Sequence, residues 1–531
     1  MMKSIINIRG AWAELFGAPV SVLERTLSFL SPDCKHSQAY RDGRWDGMIR
    51  LFKDRAFPAG LLNRVADAVR EDGYDLQILG QKEKPLDLSR LTDKYLPGIT
   101  LWRHQYDAIL AMLTNPRCSV KIQTRGGKTE VMAAVARYLW EERGWRTLIL
   151  VPRKGLLDQT WKRCKKYYGS DLTVGRIGDG HRSFGVVTVA TAQTLIGFQP
   201  RKFKGRIIPA DEELKKFVLN GFQVLALDEC HHSKSRTWQE IAMASNAVRR
   251  YGMSGTPLTT QELADAMMIG ASGPVVYEAV ADALVGAGLL NRPKIAVILS
   301  DSASGGPLPY LWGTYRNSHT GQEFPCKQQL SYADAYQQGV ADVTYSHAFQ
   351  HNQTVMKCAE WMVDHGRSTL ILCRQRKHFA TLMQWLKKAG IAHKGIYGDH
   401  DVPERTVAKR ALEAGKIKVL LASSILDEGE DLPGLGAIVL AENVSSGVNA
   451  VQRIGRGMQK TKAGDVWVTL VAPCSHPTLL KHALMCVRAW EQEGYEVRVV
   501  ENWKPDGDYD SMLPFLTWDS GKQHLLFEGA A

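Results

Sequence analysis

Two short stretches of this sequence have the residue types and setting for phosphate chemistry. Gly126-Gly127-Lys128-Thr129 follows an apolar run ending at Gln123 and opens a helix-like stretch. Glycines let backbone N–H groups approach phosphate oxygens, and a helix N-terminus adds partial positive charge. In such a turn Lys128 reaches the β- and γ-phosphates and Thr129 holds Mg2+. The full pattern wants a glycine at position 122, which is Ile122; taken alone, the four residues also fit an ordinary basic turn. Further on, Val224–Leu227 runs into Asp228-Glu229-Cys230-His231. Carboxylates at the end of a buried strand are costly unless they meet a cation or a hydrogen-bond network. Asp228 suits Mg2+ held through water, and Glu229 suits orienting and deprotonating an attacking water. The competing reading is an acidic pair that caps the next helix. Cys230-His231-His232 is not a zinc site, because three consecutive side chains cannot converge on one ion and no Cys-x-x-Cys pair completes it.

Groups like these need rigid strand ends to stand on. Apolar runs predict strands at Ser119–Gln123, Thr147–Val151, Val186–Thr191, Val224–Asp228 and Arg250–Ser254. A second set falls at Thr369–Cys373, Lys394–Tyr397, Val419–Ser423, Ala437–Ala441 and Val466–Val471. Continuous apolar runs separated by helical lengths are the pattern of parallel strands buried on both faces. The fold class expected is α/β, with two parallel-sheet domains. The divisions expected are an accessory domain over 1–85, α/β domains over 86–300 and 346–475, a Gly/Pro/Ser-rich linker over 301–345, and a C-terminal segment over 476–531.

The chain has 531 residues with 44% hydrophobic and 23% charged side chains, too rich in core-forming residues for disorder. Its 67 Lys and Arg against 55 Asp and Glu, a net +12, favour a polyanionic partner. No apolar run reaches the roughly 18 residues of a membrane span, and the N-terminus lacks a secretory pattern. Nine scattered cysteines suit a reducing interior.

The order of further motifs says what hydrolysis drives. Trp102-Arg103-His104-Gln105 precedes Lys128, and Ser254-Gly255-Thr256-Pro257 follows Asp228. Later come Asp427-Glu428-Gly429-Glu430-Asp431-Leu432-Pro433 and Gln452-Arg453-Ile454-Gly455-Arg456-Gly457. Over residues 98–472 this series resembles the superfamily 2 helicases and translocases. With the segment Tyr40–Phe52 it looks most like the phage UvsW-type DNA helicases, the XPB-like enzymes being next nearest.

The resemblance implies two tandem RecA-like domains closing on ATP and Mg2+, with Thr129 and Asp228 at the metal. Gln105 would read the adenine edge, unless it is merely a helix-face Gln. His231, Ser254 and Thr256 would couple nucleotide to nucleic acid. Gly429 and Asp431 would touch both. Gln452 and Arg456 would face the γ-phosphate, Arg456 as the arginine finger; Arg453 would reinforce them or pair locally. Arg125 and Gln459 depart from the usual Gly and Arg. The expected compartment is cytoplasmic, the host cytoplasm for a phage protein.

Residues 153–182 carry eight Lys or Arg against three Asp, and Arg201–Arg206 adds a cluster around Phe203. Charge runs are often solvated faces. However, Arg153, Lys154 and Thr191 follow strands at the edge where open α/β sheets bind ligands, and Lys165 and Lys166 extend the charge. Such loops would hold a backbone without reading sequence. In the N-terminal segment, Arg41, Arg44 and Arg50 alternate with Tyr40, Trp45 and Phe52, a combination suited to a junction of duplex and single strand; a small hairpin with Trp45 in its core is the alternative. The expected activity is an ATP-dependent DNA helicase or translocase acting on forked or branched DNA. An RNA helicase, an ATP-gated clamp or annealing protein, and a restriction motor are the alternatives.

Overall fold

The computed structural model describes residues 2–516 apart from 33, 81–82, 124, 204–205, 260, 280, 301–309, 317–322, 330–348, 398–401, 424–431, 433, 443–446, 456, 459–464, 474–476 and 501–506. The chain divides into two units, Met1–Val280 and Ala281–Ala531.

Alternating apolar runs and amphipathic helices build the first unit around an eight-stranded sheet. Its strand order is His181–Ser183, Val174–Gly178, Val187–Thr191, Thr147–Val151, Val224–Asp228, Arg249–Ser254, Arg117–Ile122 and Val275–Ala279. Every strand is parallel to its neighbours except His181–Ser183, which pairs antiparallel at the edge. Thr147–Val151 and Val224–Asp228 are buried along their whole length, as strands covered on both faces must be. The strand order matters for the site. Arg249–Ser254 lies between Val224–Asp228 and Arg117–Ile122, so three strand ends stand side by side at about 4.8 Å spacing.

A smaller four-stranded sheet, in the order Ala56–Pro58, Trp12–Phe16, Lys3–Arg9 and Asp75–Leu79, forms the accessory domain. Ile6, Leu15, Leu23, Phe57, Val65 and Val69 fill its core. It seats on the helix Glu262–Ser272, where Arg64 pairs with Glu262 at 2.5 Å. Gly60 is obligatory there, because a Cβ would stand 1.9 Å from the Ile269 carbonyl oxygen. In the segment Tyr40–Phe52 the arginines have local partners. Arg44 pairs with Asp42 at 2.7 Å, Arg50 with Asp46 at 2.6 Å and Glu24 at 2.7 Å, and Arg41 donates to the Lys35 carbonyl. Trp45 donates its indole N–H to the Met48 carbonyl at 3.0 Å.

The second unit holds a seven-stranded, all-parallel sheet in the order His393–Ile396, Val419–Ala422, Thr369–Leu372, Ala437–Leu440, Val466–Pro473, Pro293–Ser300 and Val497–Val500. Two tandem RecA-like parallel-sheet domains with a small N-terminal sheet are thus the architecture. The domain limits expected from sequence change in two places. Pro293–Ser300 belongs to the second sheet, pairing with Val466–Pro473, so the first domain ends before it. The segment after 476 is partly integral: Val497–Val500 is an edge strand, and Phe515 stacks on Trp467 at 5.2 Å. Within the expected linker, Tyr310–Arg316 and Glu323–Gln329 pair as an antiparallel hairpin. No described helix is long and apolar enough to cross a membrane.

Candidate active site

The phosphate loop leaves the strand Arg117–Ile122 and enters the helix Lys128–Arg143. Gly127 adopts φ +84, and a Cβ there would lie 1.8 Å from Gln105 Nε2. Gln105 packs against the loop from the helix Arg103–Thr114. Its amide donates to the Gly126 carbonyl at 3.3 Å, and its Oε1 accepts from the Trp102 N–H at 2.8 Å. His104 Nε2 lies 2.7 Å from the same carbonyl; burial lowers its pKa. Arg125 sits in this loop at φ +72, a left-handed conformation that costs a side chain about 1–2 kcal/mol.

Across the neighbouring strand end, Lys128 Nζ donates to Glu229 Oε1. Both side chains are almost wholly enclosed, as is Asp228. Burial alone would weaken the Lys128 charge, but Glu229 and Asp228 outweigh it and raise its pKa. Burial pushes the Asp228 carboxyl above the usual carboxylate range, opposed by Lys128 and helped by the Glu229 charge. Glu229 suffers the same burial, yet Lys128, His231 and a hydrogen bond from Ser254 hold it below the ordinary range. Asp228 Oδ1 is buried with no hydrogen-bond partner among the described residues. An orphaned carboxylate oxygen beside a phosphate loop fits a hydrated Mg2+, for which Asp228 and Thr129 are the residues at hand.

Ser254 joins this group because its strand runs between the other two. Its Oγ donates to Glu229 Oε2 at 3.1 Å, stands 2.9 Å from His231 Nδ1 and accepts from the Thr256 N–H at 3.0 Å. With the Ser254 hydroxyl donating to Glu229, the His231 Nδ1–H is the donor to Ser254. The His231 ring packs on His232 at 4.4 Å between centroids, and His232 stacks on Trp238 at 5.9 Å. His232 in turn lines a cavity of about 220 Å3 with Arg153, Gln193, Ser235 and Thr237. Contacts therefore run from Glu229 through Ser254, His231 and His232 to a polar cavity on the same edge. In sequence His232 has no role beyond a rejected zinc triplet, and this cavity is not revealed; the doubled histidine after the acidic pair was the available signal.

Other predicted residues lie elsewhere. Lys165 and Lys166 occupy the last turn of the helix Lys154–Tyr168, about 18 Å along its axis from Arg153. Lys165 lies over the Trp161 ring at 4.6 Å. Lys154 pairs with Asp179 at 3.0 Å, and Thr191 is buried with its hydroxyl 3.0 Å from that of Thr194. Most cations of the basic window thus have acidic partners inside it or beside it, with Lys162 on Asp158, Arg163 on Glu130 and Arg182 on Asp211. In the second unit, Gln452 and Arg453 are buried on the helix Gly447–Gly455, and Gln452 Oε1 has no hydrogen-bond partner among the described residues. Gly429, Asp431, Arg456 and Gln459 lie outside the described residues.

Two family profiles match in tandem, one described as "Type III restriction enzyme, res subunit" over residues 98–259 and one as "Helicase conserved C-terminal domain" over 350–460. The chain belongs to the superfamily 2 helicases. As a superfamily 2 enzyme it is an ATP-dependent helicase. It is 24% identical over 454 residues to the ATP-dependent DNA helicase uvsW of Enterobacteria phage T4, covering 82% of each chain. It is 22% identical to the DNA 3'-5' translocase XPB2 of Sulfurisphaera tokodaii, over 70% of this chain and 82% of that protein. Among solved structures, the Type ISP restriction-modification enzyme LlaBIII bound to DNA shares the fold, with a TM-score of 0.53 at 14% identity over 84% of this chain and 35% of that one.

Proposed function

We propose that this superfamily 2 helicase is a DNA translocase that remodels forked or branched DNA. The observation that carries the reading is one continuous edge. The phosphate loop stands at one side, the Asp228–Glu229 pair and Ser254 in the middle, and the Arg153–Gln193–His232 cavity beyond them. Lys128, parked on Glu229, moves to the nucleotide phosphates and frees that carboxylate to orient and deprotonate water. Thr129 and Asp228 would hold Mg2+, which would supply charge neutralisation at the phosphates. Gln105 holds the adenine side, Gly126 and Gly127 cradle phosphate, and Gln452 and Arg456 answer the γ-phosphate, with Gly429 and Asp431 as further contacts; Arg453 is buried on the helix that carries Gln452. His231, Ser254 and Thr256 carry the state of this site to the cavity, where Arg153 meets a backbone phosphate. The similarity to two DNA-acting relatives supports DNA as the track. Trp45 and the accessory domain select the junction.

ATP hydrolysis measured with single-stranded DNA, duplex, forks, four-way junctions and matched RNA tests the reading. Greater stimulation by forked or branched DNA than by RNA is expected. Equal or stronger stimulation by RNA makes the chain an RNA helicase, and ATP binding without stimulated turnover makes it a clamp.

A further inference from the structure

Beyond the hydrolytic edge, one element of the first unit has no role in the chemistry above. Arg201–Phe203 and Arg206–Ile208 form a two-stranded ribbon that joins neither strand to the large sheet. It departs after the short helix Ala192–Leu195, which follows the strand end at Thr191, so it is rooted beside Gln193. The chain returns where the Asp211 N–H donates to the Gly197 carbonyl at 2.9 Å, and both guanidinium nitrogens of Arg182 hold the Asp211 carboxylate at 2.6 and 2.7 Å. The stem is fastened while the ribbon stands out.

Its surface chemistry is one-sided. Residues 198–210 contain four Lys or Arg and no Asp or Glu. Arg201, Lys202 and Arg206 are exposed, and no carboxylate of the described residues pairs with them. The antiparallel register sets Lys202 opposite Ile207, and Ile207 is 78% exposed. Directly opposed side chains share a face about 5 Å apart. A bare isoleucine beside unneutralised cations complements a partner with apolar faces bordered by anions, which describes stacked bases between phosphate rails. Apolar side chains of this kind insert at base steps and unstack them.

We propose that this ribbon is a strand-separating wedge: Arg201, Lys202 and Arg206 hold phosphates at the junction of duplex and single strand, and Ile207 presses against the terminal base pair. It rests on the reading of the chain as a DNA translocase and gives that motor the means to part strands.

The test uses full-length Ile207→Ser, Ile207→Leu and the triple Arg201→Ser/Lys202→Ser/Arg206→Ser variants. Fork unwinding and single-strand-stimulated ATP hydrolysis are measured on the same preparations. With Ile207→Ser, unwinding should fall about tenfold or more while hydrolysis stays within about twofold, and Ile207→Leu should unwind like wild type. The triple variant should flatten the log K versus log salt slope for fork binding by about two to three. Wild-type unwinding by Ile207→Ser overturns the wedge, as does an equal loss of both activities or an unchanged slope in the triple variant. A wild-type protein whose ATP hydrolysis responds to no DNA is a separate failure, that of the motor reading itself.

Discussion

Replacing Lys128 with alanine should do more than stop catalysis: it should make folding stability depend on pH in a calculable way. Lys128 is the cation in direct contact with Glu229, and Asp228 is buried beside it. Breaking a buried pair by removing one partner costs about 3–5 kcal/mol when the other stays charged. The variant has a cheaper route at low pH, because one carboxylate can take up a proton. Protonating a carboxylate of ordinary pKa about 4.3 costs about 3.7 kcal/mol at pH 7 but only about 1.6 at pH 5.5. The variant's deficit should therefore be about 1.5 kcal/mol at pH 5.5 and about 3–4 at pH 7. The sign follows from the proton count. A folded-state pKa raised above its unfolded value contributes stability that is lost as pH rises. In the wild type Glu229 is lowered instead, so its contribution is present above the ordinary carboxylate range and lost as pH falls through its folded value. Hydrogen exchange of the strand Val224–Asp228 under urea, at pH 5.5 and 7, reads the first unit without assuming that the whole chain unfolds in one step. Adding Glu229→Gln to the variant should restore about 2 kcal/mol or more at pH 7 by removing the stranded charge. A deficit below about 0.5 kcal/mol, or one equal at the two pH values, would refute a buried Lys128–Glu229 pair.

Glu229→Gln alone should cut ATP turnover by about 10²–10⁴ while a fluorescent nucleotide still binds; single-turnover hydrolysis within threefold of wild type contradicts its role as base. Arg456→Ala should slow hydrolysis by about 10³–10⁵ with a smaller change in ATP affinity, whereas Arg453→Ala, at a fully buried site, should chiefly lower the thermal midpoint. Arg153→Ala should flatten the log K versus log salt slope for DNA by about 0.9, and Lys165→Ala/Lys166→Ala by less than half of that, since those lysines stand at the far end of their helix. Gly60→Ala should cost about 1–3 kcal/mol in the seating of the accessory domain, read as faster exchange in the helix Glu262–Ser272, because its Cβ would collide with the Ile269 carbonyl.

The strands that carry the site were legible because strands buried on both faces are written as apolar runs; Thr147–Val151 and Val224–Asp228 have the very limits expected from the sequence. What the runs do not contain is partnership. Pro293–Ser300 is not among the strands expected from the sequence, and its pairing with Val466–Pro473 assigns it to the second sheet. Val174–Gly178 was missed because two glycines and Arg176 interrupt the pattern, although Arg176 is buried against Asp158 at 3.2 Å. A count of charges leaves out partnership in the same way. The window 153–182 looked like an open basic face, yet its acids and its neighbours' acids lie within reach of most of its cations.

The same distinction explains why the contact of Ser254 with Glu229, and the place of His232, needed the fold. In sequence Ser254 is distant from both Lys128 and Glu229; insertion of its strand between theirs brings its hydroxyl to Glu229 Oε2. The backbone then bends sharply at Glu229, which adopts φ +54, and this turn carries the chain from Asp228 to the histidines. A left-handed glutamate is unfavourable by about 1–2 kcal/mol and persists only where its surroundings over-determine it. Here they do: Lys128 and Ser254 each hold one carboxylate oxygen, and the Glu229 carbonyl accepts from the His232 N–H at 3.0 Å. One strained residue thus gives its side chain to Lys128 and Ser254 and its carbonyl to the wall of the cavity. On the function proposed above, a shift of His232 against the track would bear directly on the turn that aims the Glu229 carboxylate, because the His232 N–H is held by the Glu229 carbonyl.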